Sequence, residues 1–108
     1  MRRGQIIALL NNGTSLVNFP FKVYFSRGEG EVAISVPKRN FKRAVHRNLV
    51  RRRIREAYRM QKASYPFAGE CNLLIVYIAK EILDYKVIES NVASFLQKIG
   101  GMASDKVD

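Results

Sequence analysis

The 108-residue chain has one cysteine, one histidine, no tryptophan and only three prolines. A lone cysteine, Cys71, excludes an intramolecular disulfide and any multi-cysteine zinc site, and it suits a reducing compartment. The lone histidine, His46, has no Cys or carboxylate cluster at ligand spacing and reads as a polar helix position, not a metal ligand. No apolar run approaches the ~18 to 20 residues of a membrane span, and the stretch around Leu73 to Ala79 has the length of a strand. Arg2 and Arg3 precede Ile6 to Leu10 without a small-residue cleavage site behind them, so a signal peptide is not expected and a cytoplasmic location is. A phosphate-cradling glycine motif is missing. The carboxylates are scattered, with Glu29 and Glu31 in a turn and Glu81, Asp84 and Glu89 around the start of the last helix. No pair is set for metal-assisted hydrolysis, and no catalytic residue is expected in the protein itself.

Acid is scarcest where base is densest. Between Lys38 and Lys62 stand eight arginines and three lysines against a single acid, Glu56, which leaves eight bases and eight acids in the rest of the chain. The whole formal charge of +10 therefore sits in that segment. Such a block repels itself unless phosphates answer it, and the excess of arginine favours forked, bidentate phosphate contacts. With 47% hydrophobic residues the chain is nevertheless no basic tail but one domain with a single core. Residues 1–108 read as one polyanion-binding domain, ordered from about 4 to 100, with a polar tail over 101–108.

Gln5 to Asn12 reads as a short helix, because Ile6, Leu9 and Leu10 share a face and Gly13 is a natural stop. Phe19 to Ser26 alternates Phe19, Phe21, Val23, Phe25 against Pro20, Lys22, Tyr24, Ser26, the period of a strand. Arg27-Gly28-Glu29-Gly30 supplies a turn, and Glu31 to Val36 returns as a second strand, which predicts a hairpin between the two. A short strand over 15–18 stays open. A basic helix follows from about Lys42 to Lys62. Tyr65 to Gly69 breaks the chain before a buried strand, Asn72 to Ala79. Asp84 is a natural N-cap for a last helix whose Ile88, Val92, Phe95, Leu96 and Ile99 form one stripe, with Gly100-Gly101 as its stop and a polar tail after Met102. Hairpins with a helical crossover predict an α+β fold, a two-layer α/β sandwich.

With Arg47 set at zero, Val50, Ile54, Ala57 and Tyr58 fall within roughly 100° and can lie on the sheet. Arg51, Arg55, Asn48, Arg59 and Arg52 occupy the neighbouring arc, at roughly 40° to 140°. Arg47 stands at the boundary, its stem able to pack while its head reaches out. Arg53 points to the opposite flank, toward a second phosphate strand or toward nothing. A merely solvated helix would interleave acids at i, i+4, and this one does not, so the partner is a polyanion. Its apolar arc is needed for the core and lacks bulky insertion residues, which argues against a membrane surface. Phe19, Phe21, Tyr24 and Phe25 fit either core packing or base stacking, and Tyr24 shares a face with Lys22, opposite the phenylalanines.

Ile34-Ser35-Val36-Pro37-Lys38-Arg39, followed by Ala44-Val45-His46-Arg47-Asn48-Leu49-Val50-Arg51-Arg52-Arg53-Ile54-Arg55-Glu56-Ala57-Tyr58-Arg59, closely resembles the signature of the bacterial ribonuclease P protein component. In that family a strand ends in Ser-Val-x-Lys-Lys/Arg, and a helix carries Arg-Asn-Arg-x-Lys-Arg-x-x-Arg. Gly13-Thr14-Ser15 and the Phe21 to Phe25 strand are similar too, so the resemblance runs from about Gly4 to Gly100. It implies a protein subunit that binds a catalytic RNA and the 5′ leader of precursor tRNA, with magnesium held by the RNA and substrate and no further protein required. It also implies about four strands in a mixed sheet and a left-handed strand-helix-strand crossover, the reverse of the general rule. Carried over by position, Lys38, Arg39, Arg47, Asn48, Arg51, Arg52 and Arg55 match the signature, and with Lys42, Arg43 and Arg59 of the same cationic segment they are the expected RNA-binding set. Tyr24, Ile6 and Leu10 stand at positions of the family's leader cleft, and with Lys22, on the face of Tyr24, they are the expected leader contacts. Leu49 stands where the family has the second arginine of its trio, which removes one phosphate contact. Ile6 and Leu10 replace aromatics, which exchanges stacking for softer apolar contact. The alternative that the residues leave open is a structural RNA-binding protein of ribosomal type.

Overall fold

The structure, a computed structural model, describes the backbone of residues 1–105 and the side chains of residues 1–102. In chain order the elements are α1 (Arg3–Asn12), β1 (Thr14–Asn18), β2 (Phe21–Arg27), β3 (Val32–Ser35), α2 (Ala44–Gln61), β4 (Cys71–Tyr77) and α3 (Tyr85–Asp105), with two 3₁₀ turns between α2 and β4. The four strands form one mixed sheet in the order β1-β2-β4-β3, antiparallel except for the parallel pair β3 and β4 that α2 connects. The expected α+β architecture is present.

The expected hairpin of β2 with β3 is not. β4 lies between them, and the true hairpin is β1 with β2, turned at Phe19–Pro20. The glycines of the Arg27–Glu31 turn serve another purpose. Asn72, at the start of β4, accepts hydrogen bonds from the backbone N–H groups of Glu29 and Glu31 through its side-chain oxygen, at 3.1 Å each. Its amide occupies the space that a Cβ on Gly28 would need, and Gly30 takes a positive φ of 84° beside the Gly69 backbone. The turn is thus wrapped around β4 rather than closed on β2.

One sheet face carries the main core. Phe21, Val23 and Phe25 of β2 and Leu73, Ile75 and Tyr77 of β4 pack against Val50, Ile54, Ala57 and Tyr58 of α2 and Ile88, Val92, Phe95, Leu96 and Ile99 of α3. Both helical stripes are the ones their 3.6-residue period predicts. Burial pushes the Tyr58 and Tyr77 phenols above their usual range, so both stay neutral. The Tyr77 hydroxyl donates to the Glu81 carbonyl and accepts from the Leu83 N–H, which orders the link into α3. Asn18, at the end of β1, docks α3. It donates to the Asn91 carbonyl and accepts from Ser94 and from the Lys98 ammonium at 2.6 Å.

The last helix does not stop at Gly100–Gly101 but runs to Asp105. Gly100 lies so close to Phe67 that an added Cβ would stand 3.0 Å from its ring, so this glycine permits a close approach inside the helix. The tail expected after Met102 falls in part on residues 106–108, which lie outside the described residues.

Candidate nucleic-acid interface

The second sheet face is only half covered. α1 contacts β2 and β4, and Leu9 and Leu74 are buried without belonging to the main core cluster, which places α1 on this side. Register defines two rows of side chains across it. Ser15, Tyr24, Leu74 and Ala33 form one, and Val17, Lys22, Val76 and Ser35 the other. Tyr24 is half-buried, and the Lys22 ammonium stands 5.3 Å from its ring centroid, a cation–π contact on the groove face. None of the four strands contains an Asp or Glu. At the far side, the ends of β3 and β4 enclose an open depression of about 460 Å³ lined by Pro37, Arg39, Asn40, Val76, Ile78 and Lys80.

The expected leader contacts on α1 divide. Ile6 is half-buried and Leu10 exposed, both one turn from the buried Leu9 or adjacent to it. α1 is tied at its other end by Gln5, which accepts from the Arg2 N–H and donates to the Glu31 carboxylate at 2.9 Å.

Lys38, Arg39, Lys42 and Arg43 are exposed in the segment between β3 and α2, not in the helix, which starts two residues later than the expected Lys42. Arg47 holds that segment in place. Its guanidinium donates to the carbonyls of Phe41 at 2.7 Å and Lys42 at 3.0 Å, so the head that was expected to reach outward is turned inward. Arg53 is likewise engaged, donating to the Leu83 carbonyl at 2.8 Å, and its flank ties α2 to the entry of α3. Gln61 does the same further along, donating to the Glu89 carbonyl.

Arg51, Arg52 and Arg55 remain as the solvent-facing fan. Arg51 leans on the Asn48 side-chain oxygen at 3.0 Å, an arrangement that aims its fork without neutralising it. Among the described residues the only ion pair is Arg59 with Glu56, at 2.7 Å and exposed, which is worth little. Arg59 also lies roughly 18 Å along the helix from Arg47, at 1.5 Å per residue. The first turn of α2 holds no acid and no side chain caps it, so the positive end of its dipole adds to the local cationic field.

Val76, opposite Lys22 in the sheet register, also lines the depression with Arg39, so Tyr24, Lys22 and Arg39 border one sheet face, while α2 packs on the other and its Arg53 is turned to the entry of α3. Asn40, Val76, Ile78 and Lys80 were not legible as site residues. Only the parallel pairing of β3 with β4 brings the residues beyond the two strand ends beside Arg39.

The family model described as Ribonuclease P matches residues 1–100. The chain belongs to the ribonuclease P protein component family. Two curated relatives named "Ribonuclease P protein component", from Porphyromonas gingivalis strains W83 and ATCC 33277, are 30% and 27% identical over 110 residues. Each alignment covers 92% of this chain and 80% of the relative. Among solved structures, the ribonuclease P protein of Thermotoga maritima superposes with a TM-score of 0.79 at 22% identity, covering 91% of this chain and 94% of that one. The Staphylococcus aureus protein gives 0.75 at 21% identity, covering 92% and 91%. These two likenesses bear on the fold, and they agree with the three-helix, four-strand arrangement described above.

No helix among the described residues is long and apolar enough to cross a membrane. Nor do any three His, Cys, Asp or Glu side chains among them converge as a metal ligand set.

Proposed function

We propose that the protein is the non-catalytic subunit of an RNA-based endoribonuclease that removes the 5′ leader of precursor tRNA. In this reading α2 and the segment before it dock on the phosphates of a catalytic RNA subunit, and the half-open sheet face holds the single-stranded leader. Magnesium belongs to the RNA and the substrate. The observation that carries the reading is the pairing of a carboxylate-free sheet face, bearing Tyr24 and Lys22, with an arginine fan whose members mostly lack acid partners. Family membership supports the assignment of partner and substrate.

Such a protein acts by differential binding. Leader phosphates meet Lys22, Arg39 and Lys80, and an unpaired base meets Tyr24, contacts that mature tRNA cannot make. The test compares the RNA subunit with and without the protein for affinity toward precursor and mature tRNA. A preference for the precursor that appears only with the protein is expected. Equal strengthening of both ligands would point to a purely structural RNA-binding role instead.

A further inference from the structure

The groove face does not end at the strand that carries Tyr24. Its second row runs across the sheet from Ser35 and Val76 over Lys22 to Val17 on β1, the edge strand. Val17 and Phe19 are each 62% exposed, two large apolar side chains at and just beyond the end of β1. Phe19 begins the hairpin turn, and the next residue, Pro20, accepts a backbone hydrogen bond from Ile78, which itself lines the depression with Arg39 and Lys80. The expected place of Phe19 in the phenylalanine face of β2 is thus not the observed one, since β2 starts at Phe21 and Phe19 is left outside the core. β1 contains no charge and no proline to protect its free edge. Its neighbour on the groove face is the cation Lys22.

We infer that Val17 and Phe19 extend the groove past the β1 edge, Phe19 forming a second stacking platform for an unpaired RNA base beyond the one at Tyr24. The inference rests on the reading that the groove holds single-stranded RNA. Charge complementarity selects that occupant, because the path from Lys80 and Arg39 over Lys22 to the edge meets cations and aliphatic floor and no strand carboxylate. A second copy of this chain, with the same charge of +10, would bring like charges together. Exposed aromatic rings accept any base, since every base has a π face, so this platform senses the length of the leader rather than its sequence.

The experiment is a cycle between protein and RNA, read as dissociation constants of the reconstituted complex with precursor tRNA whose leader is lengthened one nucleotide at a time. Wild-type protein should show a gain when the leader becomes long enough to cross the β1 edge, and Phe19→Ala should lose that gain, about five- to a hundredfold. Phe19→Trp should keep it. An abasic nucleotide at the crossing position should weaken binding to wild type and leave Phe19→Ala unaffected. Because Phe19 is exposed, its variants should melt with the wild type. Equal losses for Phe19→Ala at every leader length, or an abasic penalty that persists in that variant, would overturn the inference. So would sedimentation of wild type as a dimer that Phe19→Ala dissociates, which would assign the edge to a second copy. Tyr24→Ala, run in parallel, separates the two levels. Sensitivity to the leader at Tyr24 without sensitivity at Phe19 removes only this extension, whereas insensitivity at both removes the groove reading itself.

Discussion

Replacing Arg51, Arg52 and Arg55 together with alanine should weaken binding of the RNA subunit by about 10² to 10³-fold at 0.1 M salt and leave the fold intact. Each lost phosphate contact lowers the salt slope of log affinity by about 0.7 to 0.9, so three contacts amount to about two to three decades between 1 M and 0.1 M salt. The fold survives because arginine and alanine are both good helix formers, and because the only side-chain partner of this trio among the described residues is Asn48. Arg47 and Arg53 are left in place in this design. Their guanidinium groups hold backbone carbonyls, and removing either would mix a folding effect with a binding effect. Titrating affinity against salt checks the expectation. A fall in affinity with an unchanged slope would mean that the three arginines do not meet phosphates.

Tyr24→Ala should weaken binding of leader-bearing tRNA by about 1 to 3 kcal/mol, roughly five- to 150-fold, while binding of mature tRNA hardly changes. Tyr24 lies on the groove face, half-buried and absent from the main core cluster, so its loss should not lower the melting temperature much. Lys22 depends on it in turn, since the ammonium rests near the Tyr24 ring, and the variant should also lose part of the leader's electrostatic attraction. Paired affinity measurements with the two tRNAs, alongside thermal melts, read all of this. Equal losses for both ligands with a lowered melting temperature would return Tyr24 to a structural role.

The stripes that face the core were legible because helical periodicity is local. Val50, Ile54, Ala57 and Tyr58, and likewise Ile88 to Ile99, could be placed from spacing alone, and all are buried. The alternation of β2 was legible for the same reason, and it put Tyr24 on the correct side of the sheet. Strand order was not. Gly28 and Gly30 look like hairpin punctuation, but the partner of their turn is Asn72, more than forty residues on, and nothing local distinguishes a turn closed on its own strands from one wrapped around a third. The helical wheel also treats neighbouring arginines alike. It could not tell Arg47, whose head is turned back to the Phe41 and Lys42 carbonyls, from Arg51, whose head faces solvent, because the difference lies in where the preceding loop passes. The two-glycine end of α3 misled for a third reason. Glycine is a common helix stop, yet here both glycines lie within the helix, Gly100 in close approach to the Phe67 ring.

The most direct test of the whole account is reconstitution of cleavage. The protein, the RNA subunit of its own cell and a precursor tRNA are combined in all pairings at low magnesium, and the 5′ end of the tRNA is mapped. The account predicts that the protein without the RNA leaves the leader intact, and that adding it to the RNA restores accurate cleavage where the RNA alone is nearly inactive. Accurate cleavage by RNA-free protein, or an RNA subunit whose activity the protein leaves unchanged, would contradict it.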